Sequence, residues 1–157
     1  MFILNDKCKY IFYKLFATVF FIGYTPFCPG AICSFITIMS LYFLPAFTFL
    51  YSILILIFLF LTGVWTSNKI AVLNNLKDPS IVVIDELVGM WISVLFIPKI
   101  WWLYLLAFLF FRFFDVLKIY PINKLENLNK GWGIMLDDVG AGIISFFLVH
   151  IIKKLFI

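Results

Sequence analysis

Charge is scarce in this chain. Asp, Glu, Lys and Arg together make up 13% of its 157 residues, about half the share found in an ordinary soluble domain. Hydrophobic residues make up 65% and aromatics 21%, and mean hydropathy is +1.14. That balance excludes an ordinary water-soluble domain and places the chain in a bilayer. A basic stripe is missing as well. The net charge of +4 is scattered over many short segments. This argues against nucleic-acid binding and suits contact with anionic lipid headgroups or phosphate.

Histidine is nearly absent. The single one, His150, lies deep in the last apolar run and reads as a packed or interfacial residue. Phosphohistidine mechanisms and Ser-His-Asp triads therefore lack their central part. The three cysteines, Cys8, Cys28 and Cys33, are odd in number and lack metal-ligand spacing, so they read as unpaired apolar thiols. None is followed at short range by the arginine of a cysteine phosphatase, and no DxD occurs. Internal repeats and low-complexity linkers are missing, so residues 1–157 read as one domain. Lys7, Lys9 and Lys14 before the apolar run Leu15 to Ile22 fit a signal peptide only loosely. The N-terminus reads as retained, with its lysines on the cytoplasmic side.

Four apolar blocks are present: Ala31 to Leu44, Ala46 to Trp65, Leu87 to Phe111 and Val139 to Ile157. In lipid, backbone polar groups must be satisfied internally, so runs of this kind read as helices. A full span needs about 20 residues. Ala46 to Trp65 qualifies, and Pro45 separates it from the shorter first block as a hairpin would. Pro98 and Lys99 break the third block into a kinked span or a re-entrant pair. Lys153 and Lys154 end the last block, where long side chains snorkel. The expected architecture is all-α: a polytopic membrane protein with three to five embedded helices.

Between these blocks lie three polar ones: Gly23 to Ser34, Ser67 to Glu86 and Arg112 to Asp138. To form one site they must share one membrane face, and their basic residues favour the cytoplasmic one. In "KDPSIVVIDELVGMW", Asp78 followed by Pro79 reads as a helix start. Asp85 and Glu86 then fall about two turns inside, beyond the reach of a cap. Gly89, four residues after Asp85, leaves that helix face open. An adjacent acid pair in an apolar helix points to function more than to a solvated face.

In "FRFFDVLKIYPI", Arg112, Asp115 and Lys118 are spaced by three, as helix neighbours are. They read as a salt-bridge ladder of little energetic worth or as a phosphate clamp, with Pro121 ending the helix. In "GIMLDDVGAG", one of Asp137 and Asp138 caps the last helix, but two adjacent acids exceed what a cap needs. They repel unless a cation sits between them. Gly140, Ala141 and Gly142 suit close helix packing. With Asp85, Glu86 and Asp115, these oxygens suit a hard cation such as Mg²⁺. "GYTPFCPGAICSF" opens a helix with Pro and Gly, where backbone N–H groups and the Ser34 hydroxyl can meet an anion. A carboxylate-held metal that activates water, with a cationic group that holds phosphate, is the chemistry left by these exclusions.

Taken in order, "PFCPGAICS", "WTSNKIA", "DPSIVVIDELVGMWI", "FRFFDVLKIYPI" and "KGWGIMLDDVGAG" resemble the motifs of the phosphatidylglycerophosphatase A family. The likeness runs from about Gly23 to Ile144. Ala31 and Cys33 stand where threonine and glycine are usual, and "KIYP" replaces "KPWP". The resemblance implies an all-helical enzyme of the bacterial inner membrane. It implies Mg²⁺-dependent removal of the terminal phosphate of phosphatidylglycerophosphate to give phosphatidylglycerol. It points to Asp85, Glu86, Asp115, Asp137 and Asp138 as the acidic metal site, with Arg112 and Lys118 beside it and Asn68 joining them. Asp85 or Asp138 would act as general base. Two other readings compete. One is a non-catalytic cation transporter or assembly subunit, although the acids cluster at block edges rather than mid-span. The other is a lipid phosphotransferase, for which no second substrate motif is present.

Overall fold

The computed structural model describes residues 2–46, 48–77 and 79–156, with side chains from residue 10 onward. Among the described residues the chain is all-helical: α1 Phe2–Ala17, α2 Pro29–Phe43, α3 Phe49–Asn74, α4 Ile84–Ser93, α5 Trp101–Leu117, α6 Ile122–Leu125 and α7 Gly131–Phe156. A 3-10 turn at Ile22–Tyr24 links α1 to α2.

Two helices, α3 and α7, are long and apolar enough to cross a membrane. At 1.5 Å per residue each extends roughly 39 Å. Only 28% and 22% of their most apolar windows are buried, so their hydrophobic surface faces mainly outward, as lipid contact requires. Phe58, Leu61, Phe147 and Ile151 are among the large apolar side chains left exposed on them.

The short helix α4 is the centre of the fold. One core cluster joins it to α2, α5 and α7 through Ile38, Met90, Leu103, Phe111 and Ala141. The other joins it to α1, α3 and α7 through Ala17, Ile70, Ile84, Val88 and Met135. Packing is tightest against α7. A Cβ on Gly89 would lie 2.6 Å from the Asp138 carbonyl oxygen and 2.5 Å from the Phe111 ring. A Cβ on Gly142 would in turn overlap the Gly89 carbonyl. The face that Gly89 leaves bare is therefore filled by α7 and Phe111, whereas the sequence reading left it open to an incoming group.

Several element boundaries differ from the sequence reading. The helix expected at Pro79 begins at Ile84; Asp78 lies outside the described residues. Val82 N–H donates to the Pro79 carbonyl (2.9 Å) and Val83 N–H to Ala17 at the end of α1 (2.9 Å). These bonds hold the chain in a turn until Ile84. Asp85 and Glu86 consequently occupy the first turn of α4, where the helix dipole does favour anions. At the other side, α7 begins at Gly131, eight residues before the apolar block at Val139. Gly131 packs against α3, where a Cβ would overlap the Val64 carbonyl. Neither Asp137 nor Asp138 is thus a cap; both sit inside the helix. The polar segment "WTSNKIA" is also helical, as the C-terminal part of α3. Pro98 and Lys99 do divide the third apolar block, into α4 and α5. Lys99 donates to the Tyr42 carbonyl (2.9 Å) and to that of Leu44. It thereby joins the end of α2 to the start of α5.

The α4–α7 contact predicts an asymmetry between glycines. Gly89→Val should lower stability by about 2 kcal/mol, read as a drop in Tm of the detergent-solubilised protein. Gly140→Ala meets chiefly the end of the flexible Leu125 side chain and should be neutral or mildly stabilising.

Candidate active site

Four helix segments converge on the acidic residues. The first turn of α4 brings Asp85 and Glu86, α7 brings Asp137 and Asp138, and the end of α5 brings Arg112 and Asp115. The first turn of α2 closes the side, because Gly30 lies directly against the Glu86 carboxylate, in space that a Cβ would fill. The Cys33 thiol secures this contact by donating to the Val83 carbonyl at 3.2 Å.

Ligand oxygens of Asp85, Glu86 and Asp138 all lie within 4.8 Å of one another. Asp85 and Asp138 are 8% and 3% exposed, so water screens them poorly. At an effective dielectric of ~20, each ionised pair at that distance repels by roughly 3 kcal/mol. Asp85 and Glu86 belong to a ten-residue helix outside the two span-length ones. Burial, then the neighbouring Glu86 and Asp138 carboxylates, push the Asp85 carboxyl well above its ordinary range. Burial raises Glu86 too. The Asp85 Oδ1 accepts the Glu86 backbone N–H at 3.0 Å. Glu86 Oε2 and Asp138 Oδ2 are buried without a hydrogen-bond partner. Orphaned carboxylate oxygens, an all-oxygen donor set and mutual repulsion together fit a hard divalent cation.

Cationic groups flank this trio on two sides. Arg112 Nη1 lies 2.7 Å from Asp115 Oδ2, and Asp115 acts electrostatically on both Glu86 and Asp138. The pair is thus the edge of the cluster. Lys118 behaves differently from the expected three-residue ladder. It is the C-cap of α5, in left-handed backbone at φ 43°, and it turns away from the helix. Its ammonium lies 2.8 Å from Asp137 Oδ2 and 3.4 Å from Glu126 Oε1. Asp137 therefore pairs with Lys118 beside the trio rather than within it.

Two expected binding residues stand apart. Asn68 is exposed on α3, against Gly131 at the start of α7. The Ser34 hydroxyl is buried and donates to the Gly30 carbonyl at 2.8 Å, so it supports the first turn of α2. His150 Nδ1 donates to the Phe146 carbonyl (2.9 Å), and its ring lies against the Phe146 ring, as a packed residue does. Cys28 and Cys33 are free thiols. Gly30 and Cys33, read in the sequence as part of an anion-facing helix start and as an unpaired thiol, enter the site's surroundings, as does Glu126, which was not singled out. Their contacts join distant segments, which no local pattern contains.

The acid trio predicts a melting behaviour. Mg²⁺ at about 100 times its Kd should stabilise the protein by about 2.7 kcal/mol, or roughly 5 °C or more in Tm. Asp138→Asn should raise Tm in EDTA, since it removes repulsion, and should erase the response to Mg²⁺. Calorimetry of both proteins in detergent checks this.

The family model described as PgpA, Phosphatidylglycerophosphatase A, matches residues 15–153. A Bacteroides thetaiotaomicron protein provisionally named a phosphatidylinositol-3-phosphatase is 40% identical over 148 residues, covering 88% of this chain and 92% of its own. The phosphatidylglycerophosphatase A of Escherichia coli is 32% identical over 143 residues, covering 89% of this chain and 83% of its own. That of Haemophilus influenzae is 41% identical over 96 residues, or 60% of this chain and 59% of its own. No solved structure matches the chain.

Proposed function

Because the chain belongs to the phosphatidylglycerophosphatase A family, we propose that it is a membrane phosphatase that converts phosphatidylglycerophosphate to phosphatidylglycerol and phosphate. The observation that carries this reading is the buried trio Asp85, Glu86 and Asp138 with the Arg112–Asp115 pair at its edge. In this reading residues 1–157 form one family domain in a bacterial inner membrane, with three to five helices embedded and the site on the cytoplasmic face.

Depth along α7 supports a site on the membrane side that holds the start of that helix. Asp138 lies roughly 10 Å below the start of α7 at 1.5 Å per residue, while Lys153 and Lys154 fall in its last turn. Asp138 falls roughly 8 Å from the midpoint of α7, on the side of its N-terminal end.

The reaction joins the oxygen of a water to phosphorus and breaks the bond from phosphorus to the terminal glycerol oxygen. A divalent cation such as Mg²⁺, held by Asp85, Glu86 and Asp138, would polarise the phosphate and lower the pKa of water. One free carboxylate oxygen, on Asp85 or Asp138, takes the water's proton. The departing glycerol oxygen takes up that proton from the carboxyl and leaves as the alcohol, which returns the carboxylate to its starting form. Arg112, the only arginine in the chain, forks to two phosphoryl oxygens and offsets charge that grows in the transition state. To do so it exchanges part of its contact with Asp115. Lys118 holds Asp137 in place and adds a second positive charge to the field at the phosphate. Ser34 and Asn68 enter as supports of the α2 and α3 walls.

The name carried by the Bacteroides relative points to a different lipid phosphomonoester. The trio and Arg112 would treat either headgroup alike, so the assay includes both. Solubilised protein should release phosphate from phosphatidylglycerophosphate with Mg²⁺ and lose this activity in EDTA, with phosphatidylinositol 3-phosphate assayed beside it. Asp85→Asn and Asp138→Asn should each lower kcat by about 100-fold or more, and Arg112→Gln by about 100-fold. Full activity in both Asp variants would sink the site assignment; faster release from the inositol lipid would reassign the headgroup.

A further inference from the structure

We propose that the groove between α2 and α5 seats one acyl chain of the lipid whose phosphate is hydrolysed, an inference that rests on the phosphatase reading above. The two helices run antiparallel. Phe35 meets Phe108 edge-to-face with ring centroids 6.2 Å apart, and further along Tyr42 meets Tyr104 at 5.2 Å. Between these contacts lies a groove of about 290 Å³ whose exposed lining is entirely apolar. Ile38 and Tyr104 form its buried floor, and Phe35, Met39, Leu105 and Phe108 its walls. Ligand pockets run from about 300 to 1,000 Å³, so the space suits one chain rather than a whole diacyl lipid.

What identifies the occupant is where the groove begins. One helical turn beyond Phe108 on α5 stands Arg112. Beside Phe35 on α2 stands Ser34, whose hydroxyl binds the carbonyl of Gly30, and Gly30 touches Glu86. Arg112 also acts electrostatically on both Cys33 of α2 and Glu86. The Phe35–Phe108 end of the groove is therefore the end nearer to Arg112 and the acid trio. From there it descends along α2 for roughly 12 Å at 1.5 Å per residue, from Phe35 to Phe43. A molecule with a phosphate at one end and a hydrocarbon chain at the other fits that layout. Bilayer tails are as apolar as the groove, so seating a chain there adds little binding energy. Its contribution is alignment: it fixes the lipid so that its headgroup meets Arg112 in one pose.

Met39 and Leu105 are 37% and 49% exposed, so Met39→Trp and Leu105→Trp fill the groove without entering the core. The test compares native and variant protein on dioleoyl and dihexanoyl phosphatidylglycerophosphate in mixed micelles with Mg²⁺. The variants should lose about tenfold or more in kcat/KM on the dioleoyl lipid and stay within about twofold of native on the dihexanoyl lipid. Unchanged rates on both lipids, or an equal loss on both, overturn the proposal. No release by the native protein from either lipid overturns the phosphatase reading and the groove's occupant with it. A second measurement avoids any variant. A dioleoyl substrate with a photoreactive group on its chain should label native α2 and α5 above all other helices. Labelling spread evenly over α3 and α7 as well overturns the proposal.

Discussion

Three carboxylates crowded where water is thin must be given a reason to stay together, and the helix packing supplies it. Asp85 and Glu86 are fixed by the first turn of α4, and Asp138 by the interior of α7. The two helices approach so closely at Gly89 and Gly142 that no side chain fits between their backbones. The repulsion is thus imposed by apolar packing elsewhere, since both core clusters pass through α4 and α7. Folding energy holds a charge arrangement that would relax in a looser protein. The dipole of α4 eases part of the strain, because both of its acids sit in the first turn.

The cationic side chains divide the work by position. Arg112 is anchored on a regular stretch of α5 and is only partly shielded, with 23% of its side chain exposed. Part of its side chain therefore remains open to an anion. Lys118 sits just past the helix end, where left-handed backbone redirects it to Asp137 and Glu126. Three-residue spacing alone gives these two residues equal standing. The end of the helix separates them.

Much of this was legible in the sequence. Apolar runs revealed helices, Pro98 and Lys99 located the break between α4 and α5, and unusual acid pairs marked the buried trio that forms the candidate site. The chain's small residues after Asp138 announced close packing, and Gly142 provides it. Boundaries were less legible. Asp78-Pro79 has the chemistry of a helix start, but Val83 is held by the end of α1, a contact between distant segments that no local pattern contains. Likewise, Asp137 and Asp138 resemble caps only when the helix is taken to begin where hydrophobicity rises. Gly131 lets α7 begin earlier by fitting against α3. Distinguishing Asp137 from Asp138 required the fold, because neighbours on a helix point about 100° apart and meet different partners.

The space between α2 and α5 is open along its flank, with Phe35, Met39 and Leu105 all substantially exposed beside it. A lipid seated as proposed enters and departs sideways, without leaving its leaflet. The quantity that governs encounter is then the mole fraction of substrate among the surrounding lipids, and bulk concentration in water has little meaning. Product differs from substrate only in its headgroup, so its tail competes for the same place. Escape depends on the loss of charge at the Arg112 end, and turnover becomes a contest between neighbours in two dimensions.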